Sequence, residues 1–332
     1  MTDPAILDFL RTAGLISADD TPQPEALTGG VSSDIWKIET ANGNICIKRA
    51  LSQLKTEKKW EAPVSRNASE ADWIRTVETI APDAVPGVLC QDRETGMFAM
   101  PYFDPEDYPV WKSQLRDGVV SIETAAAVGK TLGLIHAATA DNEDIAVTFC
   151  TNDIFHAIRI EPYLLRTAES CPDVAPRLKE LAETTAANRI SLVHGDVSPK
   201  NILAGPEGPV FLDAECAWYG EPAFDLAFCL NHLFLKCIWR PDHWEAYLES
   251  FTAMSAAYLS QVTWEPPTDI ERRTAGLLAG LLLARIDGTS PVEYITEEPE
   301  KDRVRRAARR GLNEPPPTLA GMIRIFREET EL

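Results

Sequence analysis

The spacing of apolar residues changes its period along the chain, and the change separates a strand-rich first part from a helical remainder. Ile6, Leu7, Phe9, Leu10 and Ala13 form a stripe behind Asp3-Pro4, a cap with proline in the first helical turn, and the stripe ends near Gly14. A proline-containing linker, residues 21–25, leads to Thr28-Gly29-Gly30-Val31-Ser32-Ser33-Asp34 and a strand-like stretch from Ile35 to Glu39. Asn42-Gly43 is a two-residue hairpin signal that returns the chain through Asn44-Ile45-Cys46-Ile47-Lys48. Asn67-Ala68-Ser69-Glu70 opens a helix with Ala71, Ile74 and Val77 on one face. A second hairpin is expected from Val88-Leu89-Cys90, around a turn at 92–96, into Met97-Phe98-Ala99-Met100 and Pro101-Tyr102-Phe103.

From about residue 104 the period is helical. Ser121 to Ala140 sets Ala125, Val128, Leu132 and Ile135 at helical spacing, with His136 beside them as a packed, hydrogen-bonded histidine. Helices are expected at 152–169, 172–188, 241–261, 268–286 and 318–330, and Pro222 to Trp239 is apolar enough for a buried core helix. Two short apolar runs, 190–193 and 209–212, interrupt this pattern as strands. There is no internal repeat, and Pro315-Pro316-Pro317 is a short stiff spacer.

The chemistry gathers around those two strands. The first delivers His194-Gly195-Asp196, Asn201 follows five residues after the Asp, and the second ends in Asp213. Phosphoryl transfer needs an acceptor hydroxyl held in line and cations that neutralise the phosphates. A kinase-type loop uses an Asp as base, an Asn shortly after it as a metal ligand, and an Asp at the end of the next strand as another. Asp196, Asn201 and Asp213 stand in that order. Each alone has an ordinary reading as a turn or strand-end residue; together, between apolar strands, they read as a kinase. Lys48 on the second strand of a hairpin entered by Gly29-Gly30 fits the phosphate-binding lysine, with the glycines letting backbone approach the phosphates. Glu70 is the expected partner of Lys48, with Glu61 in reserve; Asn67 and Glu70 also read as a capping box.

The stretch His194 to Asn201 resembles the catalytic loop of the aminoglycoside phosphotransferase and choline kinase superfamily, His-Gly-Asp-x-x-x-x-Asn. The likeness continues through Phe211-Leu212-Asp213-Ala214-Glu215 and Tyr219-Gly220-Glu221-Pro222-Ala223-Phe224-Asp225-Leu226. It implies an α+β, bilobal protein-kinase-like fold, with an N-lobe antiparallel sheet plus helix (1–101) and a larger, mainly helical C-lobe (102–332). It implies ATP and Mg²⁺ as cofactors, Asp196 as base, Asn201 and Asp213 as metal ligands, and Asp225 bracing the loop from a helix. It also implies adenine contacts from main-chain atoms near Met100 and Tyr102. His194 is expected to buttress the loop by hydrogen bonding. Gly195, where protein kinases usually carry Arg, favours small-molecule acceptors, and no Ala-Pro-Glu segment or long activation loop follows Asp213. Asp213-Ala214-Glu215 and the aromatic-Tyr-Gly segment after it look closest to the methylthioribose kinase branch. Glu215 is then a candidate for the metal or substrate site, or else a loop carboxylate facing water. Ala284-Arg285-Ile286-Asp287-Gly288 also resembles a family segment, with no chemistry assigned to it. The expected reaction is transfer of the ATP γ-phosphate to a hydroxyl of a sugar, polyol or amino alcohol. The alternatives are an aminoglycoside O-phosphotransferase and a catalytically silent nucleotide-binding module.

Composition narrows the partners. The chain of 332 residues has 45% hydrophobic content and a formal charge of −19, which argues against nucleic acid. The acidic surface is expected to serve solubility, and the basic run Lys301, Arg303, Arg305, Arg306, Arg309 and Arg310 to be a solvated helix face balancing nearby acids. The start Met1-Thr2-Asp3-Pro4 lacks the basic flank of a secretory leader, and Gly276 to Ala284 is too short for a membrane span. Seven scattered cysteines without a Cys-x-x-Cys pair suggest neither zinc nor a disulfide framework, so a reducing cytoplasm is expected.

Overall fold

The computed structural model describes residues 4–27, 33–51 and 66–332. Helix α1 (Pro4–Thr12) precedes β1 (Glu25–Ala26), β2 (Ser33–Thr40), β3 (Gly43–Ala50), α2 (Arg66–Glu78), β4 (Cys90–Asp92) and β5 (Met97–Pro101). The strands make one antiparallel sheet in the order β1-β2-β3-β5-β4. Because side chains alternate along a strand, β3 feeds two faces. Ile45 and Ile47 pack with Ile6, Phe9 and Leu10 of α1, whereas Cys46 lies with Ala71, Trp73 and Ile74 of α2. Lys48 shares the Cys46 face and is flanked in register by Ile35 and Phe98.

The hairpin between β2 and β3 differs from expectation by one residue. Thr40 pairs with Gly43, so the loop is Ala41-Asn42. The Thr40 hydroxyl accepts the Asn42 N–H at 3.2 Å and donates to the Gly43 carbonyl at 2.7 Å, closing the turn early. Gly43 takes the positive φ, +115°, that this closure requires. The expected Asp3 cap lies outside the described residues.

The remaining chain contributes α3 (Trp111–Arg116), α4 (Ile122–Thr139), α5 (Glu143–Thr148) and α6 (Asn152–Phe155). A π-helix (His156–Leu165) and α7 (Arg166–Ser170) continue α6. The single helix expected at 152–169 therefore changes register in its middle. Pro162 sits inside it and has no N–H for the usual i→i−4 bond, which favours wider closure. Next come α8 (Ala175–Ala187), β6 (Ser191–Val193), β7 (Ile202–Gly205), β8 (Gly208–Phe211) and β9 (Trp218–Gly220). β6 pairs with β9 and β7 with β8, so two small ribbons hold the loops after 193 and 211. The chain ends with α9 (Pro222–Trp239), α10 (Trp244–Leu259), α11 (Pro267–Asp287), α12 (Glu298–Asn313) and α13 (Leu319–Thr330).

Helix α9 is the centre of the core. Every residue from Pro222 to Ile238 is buried, as expected for a helix that is apolar nearly all round. Phe234 stacks on Phe251 of α10 and Phe326 of α13, with ring centroids 4.5 and 4.2 Å away. The basic run on α12 pairs with acids, Arg305 with Asp287 and Arg309 with Asp173 among them. All seven cysteines are unbridged. No helix among the described residues is long and apolar enough to cross a membrane.

Candidate active site

Three residues far apart in sequence meet beneath the sheet. The Lys48 ammonium lies 2.6 Å from Glu70 Oε2 on α2 and also contacts Asp213 Oδ1. The other Glu70 oxygen accepts the backbone N–H of Asp213 at 3.2 Å. Glu70 therefore joins β3 to the loop after β8. Asn67 lies within α2 and turns its amide toward the Lys48 carbonyl, so both Glu70 oxygens serve this junction rather than a capping box. Burial alone would lower the Lys48 pKa, but Asp213 and Glu70 outweigh it and hold the lysine charged. Burial also opposes ionisation of Asp213. Lys48 and Lys200 more than offset it, and the carboxyl stays below its usual range. Burial pushes Glu70 up, against the pull of Lys48. Asp213 has φ +67°, a left-handed conformation uncommon outside Gly, Asn and Asp, which turns the chain sharply at the end of the strand.

The loop from His194 is held from below by α9. Asp225, fully buried, accepts the N–H of His194 at 2.7 Å and of Gly195 at 2.8 Å, one on each oxygen. His136 Nε2 approaches the same carboxylate at 3.4 Å while its Nδ1 meets the Tyr258 hydroxyl at 2.7 Å. His194 Nδ1 accepts the Asp196 N–H, and Nε2 donates to the Leu212 carbonyl, 3.1 Å in each case. That pattern needs a neutral ring, and burial lowers the His194 pKa accordingly. Gly195 takes φ +80°, and a Cβ on it would lie 2.8 Å from both the Cβ and the carbonyl oxygen of Cys216. A larger side chain cannot stand there without moving the loop.

Asp196 is buried, and its Oδ2 is crowded. Asn201 Nδ2 donates to it at 2.8 Å and to the Asp196 carbonyl at 3.0 Å. Arg159 Nη2 lies 3.0 Å from Oδ2, and Lys200 Nζ 3.2 Å. Oδ1 accepts no hydrogen bond among the described residues. Arg159 comes from the π-helix and is anchored through Nε on the Gly195 carbonyl at 2.5 Å. Sequence reasoning missed Arg159, since an arginine on an amphipathic helix reads as a solvent-facing charge. Its only local signal was the proline three residues later.

Glu215 does not face water. It is buried, and its Oε2 accepts from Arg66 Nε at 3.0 Å. Burial and Asp213 raise its pKa while Lys48, Arg66 and Arg159 restrain the rise. Arg66, also missed, donates to the Leu51 carbonyl at 2.6 Å and so ties α2 to the end of β3. Met100 pairs with Cys46 across β3–β5. The Tyr102 N–H is engaged by the Asn44 carbonyl at 3.1 Å, leaving its carbonyl as the main-chain group for a ligand. Gly29, Gly30 and Glu61 lie outside the described residues. Arg285 is set apart from this constellation, on α11. No three His, Cys, Asp or Glu side chains converge as a metal site among the described residues. The site does contain two oxygen donors of the hard kind that Mg²⁺ takes, the Asp213 carboxylate and the side-chain carbonyl of Asn201.

Comparison with known proteins agrees with this geometry. The profile of the phosphotransferase enzyme family matches residues 24–259. Rice (Oryza sativa subsp. japonica) methylthioribose kinase 1 is 23% identical over 229 residues, 60% of this chain and 53% of that protein. The chain thus spans about half the length of that relative. A choline/ethanolamine kinase family protein from Mesorhizobium loti superposes with a TM-score of 0.52 at 13% identity, covering 99% of each chain. Spectinomycin phosphotransferase, solved with ADP and spectinomycin, gives 0.54 at 12%, covering 100% of this chain and 99% of that one. These likenesses establish a protein-kinase-like bilobal fold, in which the five-stranded sheet and α2 form the smaller lobe and the helices the larger.

Proposed function

The chain belongs to the phosphotransferase enzyme family, and we propose that it is a small-molecule kinase that moves the γ-phosphate of ATP to an acceptor hydroxyl. The observation that carries this reading is the meeting of Lys48, Glu70 and Asp213 from three separate elements beside Asp196. A nucleotide-binding module would need the first three but not a recessed carboxylate with one oxygen unengaged.

Lys48 holds the α- and β-phosphates, fixed in place by Glu70. The main chain at Met100 and the Tyr102 carbonyl face the adenine. Asp213 and Oδ1 of Asn201, whose nitrogen is engaged by Asp196, hold Mg²⁺, which neutralises phosphate charge when bound. Asp196 Oδ1 orients the acceptor hydroxyl and takes its proton. Arg159 and Lys200 stand beside the same carboxylate, where charge on the moving phosphoryl group is met by cations. His194 and Asp225 keep the loop in this shape, and Arg66 keeps Glu215 beside the metal ligands. Residues 1–101 form the nucleotide-covering lobe and 102–332 the lobe for catalysis and acceptor.

The acceptor is a small sugar, polyol or amino alcohol. The methylthioribose kinases among the relatives make methylthioribose the first neutral sugar to test. A coupled ADP-release assay across sugars, hydroxy acids, amino alcohols and aminoglycosides tests the reading. Acceptor-dependent ADP release is expected, and ATP binding with no turnover of any acceptor would leave a silent module instead.

A further inference from the structure

Helix α9 carries a second polar stripe below the catalytic loop. His232 and Lys236 are one turn apart, in a helix otherwise almost wholly apolar. The Lys236 ammonium sits 3.8 Å from the ring centroid of Tyr294 and 4.4 Å from that of Trp239, two rings stacked 4.4 Å apart. The residue is 1% exposed, and among the described residues its ammonium has neither a hydrogen bond nor a carboxylate partner. A buried ammonium without an anion is costly.

Other cations converge on the same place. Lys112 of α3 lies over the Tyr294 ring, 5.9 Å from its centroid, and pairs with Glu293 at 2.5 Å. Arg285 of α11 hydrogen-bonds the Ser290 carbonyl and hydroxyl at 2.5 and 3.0 Å, pinning the strap that presents Glu293 and Tyr294. Burial, then Arg285, Lys236, Lys200 and Lys112, hold the His232 pKa far below its usual value. The patch connects to the catalytic loop by contact: His232 packs on Phe228, Arg159 lies over Phe228, and Arg159 pairs with Asp196. Lys200, against the same Asp196 carboxylate, has about half its side chain, 52%, open to solvent. Two polar atoms in the patch are shut off from solvent without a partner, Arg285 Nε and the Tyr294 hydroxyl. Such orphans are rare and call for a ligand or water.

On a chain of charge −19, this grouping is the reverse of the surface. We infer that the acceptor carries an anionic group, a carboxylate or phosphate ester, held by Lys236, Lys112 and Tyr294 while its hydroxyl reaches Asp196. The two rings could cage a cation, but the chain's own ammonium occupies that position, and a choline-like or polyamine acceptor would meet Lys236 and Lys112. The inference rests on the kinase reading above and, among its acceptors, sets aside neutral sugars and amino alcohols in favour of sugars and polyols that carry an acid group.

The test uses the full chain and coupled ADP release at saturating Mg-ATP. D-Glycerate, D-gluconate and ribose 5-phosphate are compared with glycerol, ribose and methylthioribose, and with choline and kanamycin. Acids are expected to be preferred over their neutral counterparts by about tenfold or more in kcat/KM, the scale of one charge-assisted hydrogen bond. Lys236→Met and Lys112→Met should each raise KM for the preferred acid about tenfold while the ATP Kd holds, and Lys236→Arg should recover most of the loss. Protection of the protein from thermal unfolding by the same acids, lost in Lys236→Met, reads binding independently of turnover. Preference for neutral or cationic acceptors overturns the inference, as does acid affinity indifferent to Lys236. So does the absence of both acid turnover and acid protection in a protein that binds ATP. A protein that does not bind Mg-ATP refutes the kinase reading itself.

Discussion

Replacing Glu70 by Ala removes two interactions at once, the 2.6 Å contact with the Lys48 ammonium and the acceptor for the Asp213 N–H. Breaking a buried ion pair typically costs about 3–5 kcal/mol because the remaining charge is orphaned. Here Asp213 still touches Lys48, so that range is a ceiling. The Lys48 arm is nearer to one charge-assisted hydrogen bond, about 1.5–3 kcal/mol. The Asp213 arm acts through geometry, since its N–H fixes a residue with φ +67°. If half of the Lys48 loss reaches nucleotide binding, the ATP KM rises roughly three- to tenfold. Lys48→Ala should do more, because it removes the phosphate-binding group itself. Glu70→Gln keeps an acceptor for the Asp213 N–H and should fall between wild type and Ala. The assay is ATP KM by coupled ADP release, with thermal unfolding alongside. If Glu70→Ala lowers the Tm and leaves the ATP KM at the wild-type value, the residue merely staples two elements together.

Asp196→Asn should lower kcat by about 10²–10⁴, the usual scale of acid–base catalysis, with ATP affinity kept; a loss of only a few-fold refutes the base assignment. Asp213→Ala should remove Mg²⁺-dependent ATP binding and turnover together, which calorimetry with and without Mg²⁺ will show. Gly195→Ala should cost about 1–2 kcal/mol for the left-handed conformation, plus the clash with Cys216, and reduce kcat more than it raises the ATP KM. Burial, then Lys112, lowers the Lys236 pKa to about 7, with Glu293 opposing and Arg285 adding to the fall. In that group a folded-state pKa below the unfolded one penalises stability in full below pH 7, and the penalty fades as pH rises toward the unfolded value. Wild type should therefore gain stability relative to Lys236→Met between pH 7 and about 10, and a flat difference in urea unfolding across that range would contradict a lysine whose charged form is disfavoured by burial.

The part of the site that sequence could reveal is the part fixed by short spacing. His194 to Asn201 lies in one loop, and Asp213 ends the following strand, so turn chemistry and two apolar runs placed them together. The Lys48–Glu70 pairing needed the further idea that a hairpin lysine meets the next helix. Arg66 and Arg159 had no such guide, because their partners, Glu215 and Asp196, are remote in sequence and an arginine on a helix usually faces water. The register change at Pro162 was visible as a residue but not as a π-helix, since only packing decides whether the helix kinks or widens. The hairpin slipped by one residue because the Thr40 hydroxyl closes the turn before Asn42 can. Lys236 did leave a trace, a lone ammonium in an apolar run, but its meaning depended on Trp239, on Tyr294 and on a strap some fifty residues away.

Helix α9 has a consequence for how this protein can change over evolutionary time. Asp225 at one end braces the loop that begins at His194, and Lys236 lies eleven residues on, about 16 Å along the axis at 1.5 Å per residue. Seventeen consecutive buried residues lock the helix into its neighbours, so neither end can slide relative to the other without repacking the whole interior. A descendant adapting to a longer or shorter acceptor therefore has little freedom in the helix. Its tolerant positions are the exposed ones of the strap, Thr289, Pro291 and Glu293 among them, and the Lys112 side of α3, where a substitution changes reach or charge without disturbing the core. Divergence in specificity among such enzymes is accordingly expected to accumulate on that rim, while the helix behind it stays as a fixed gauge.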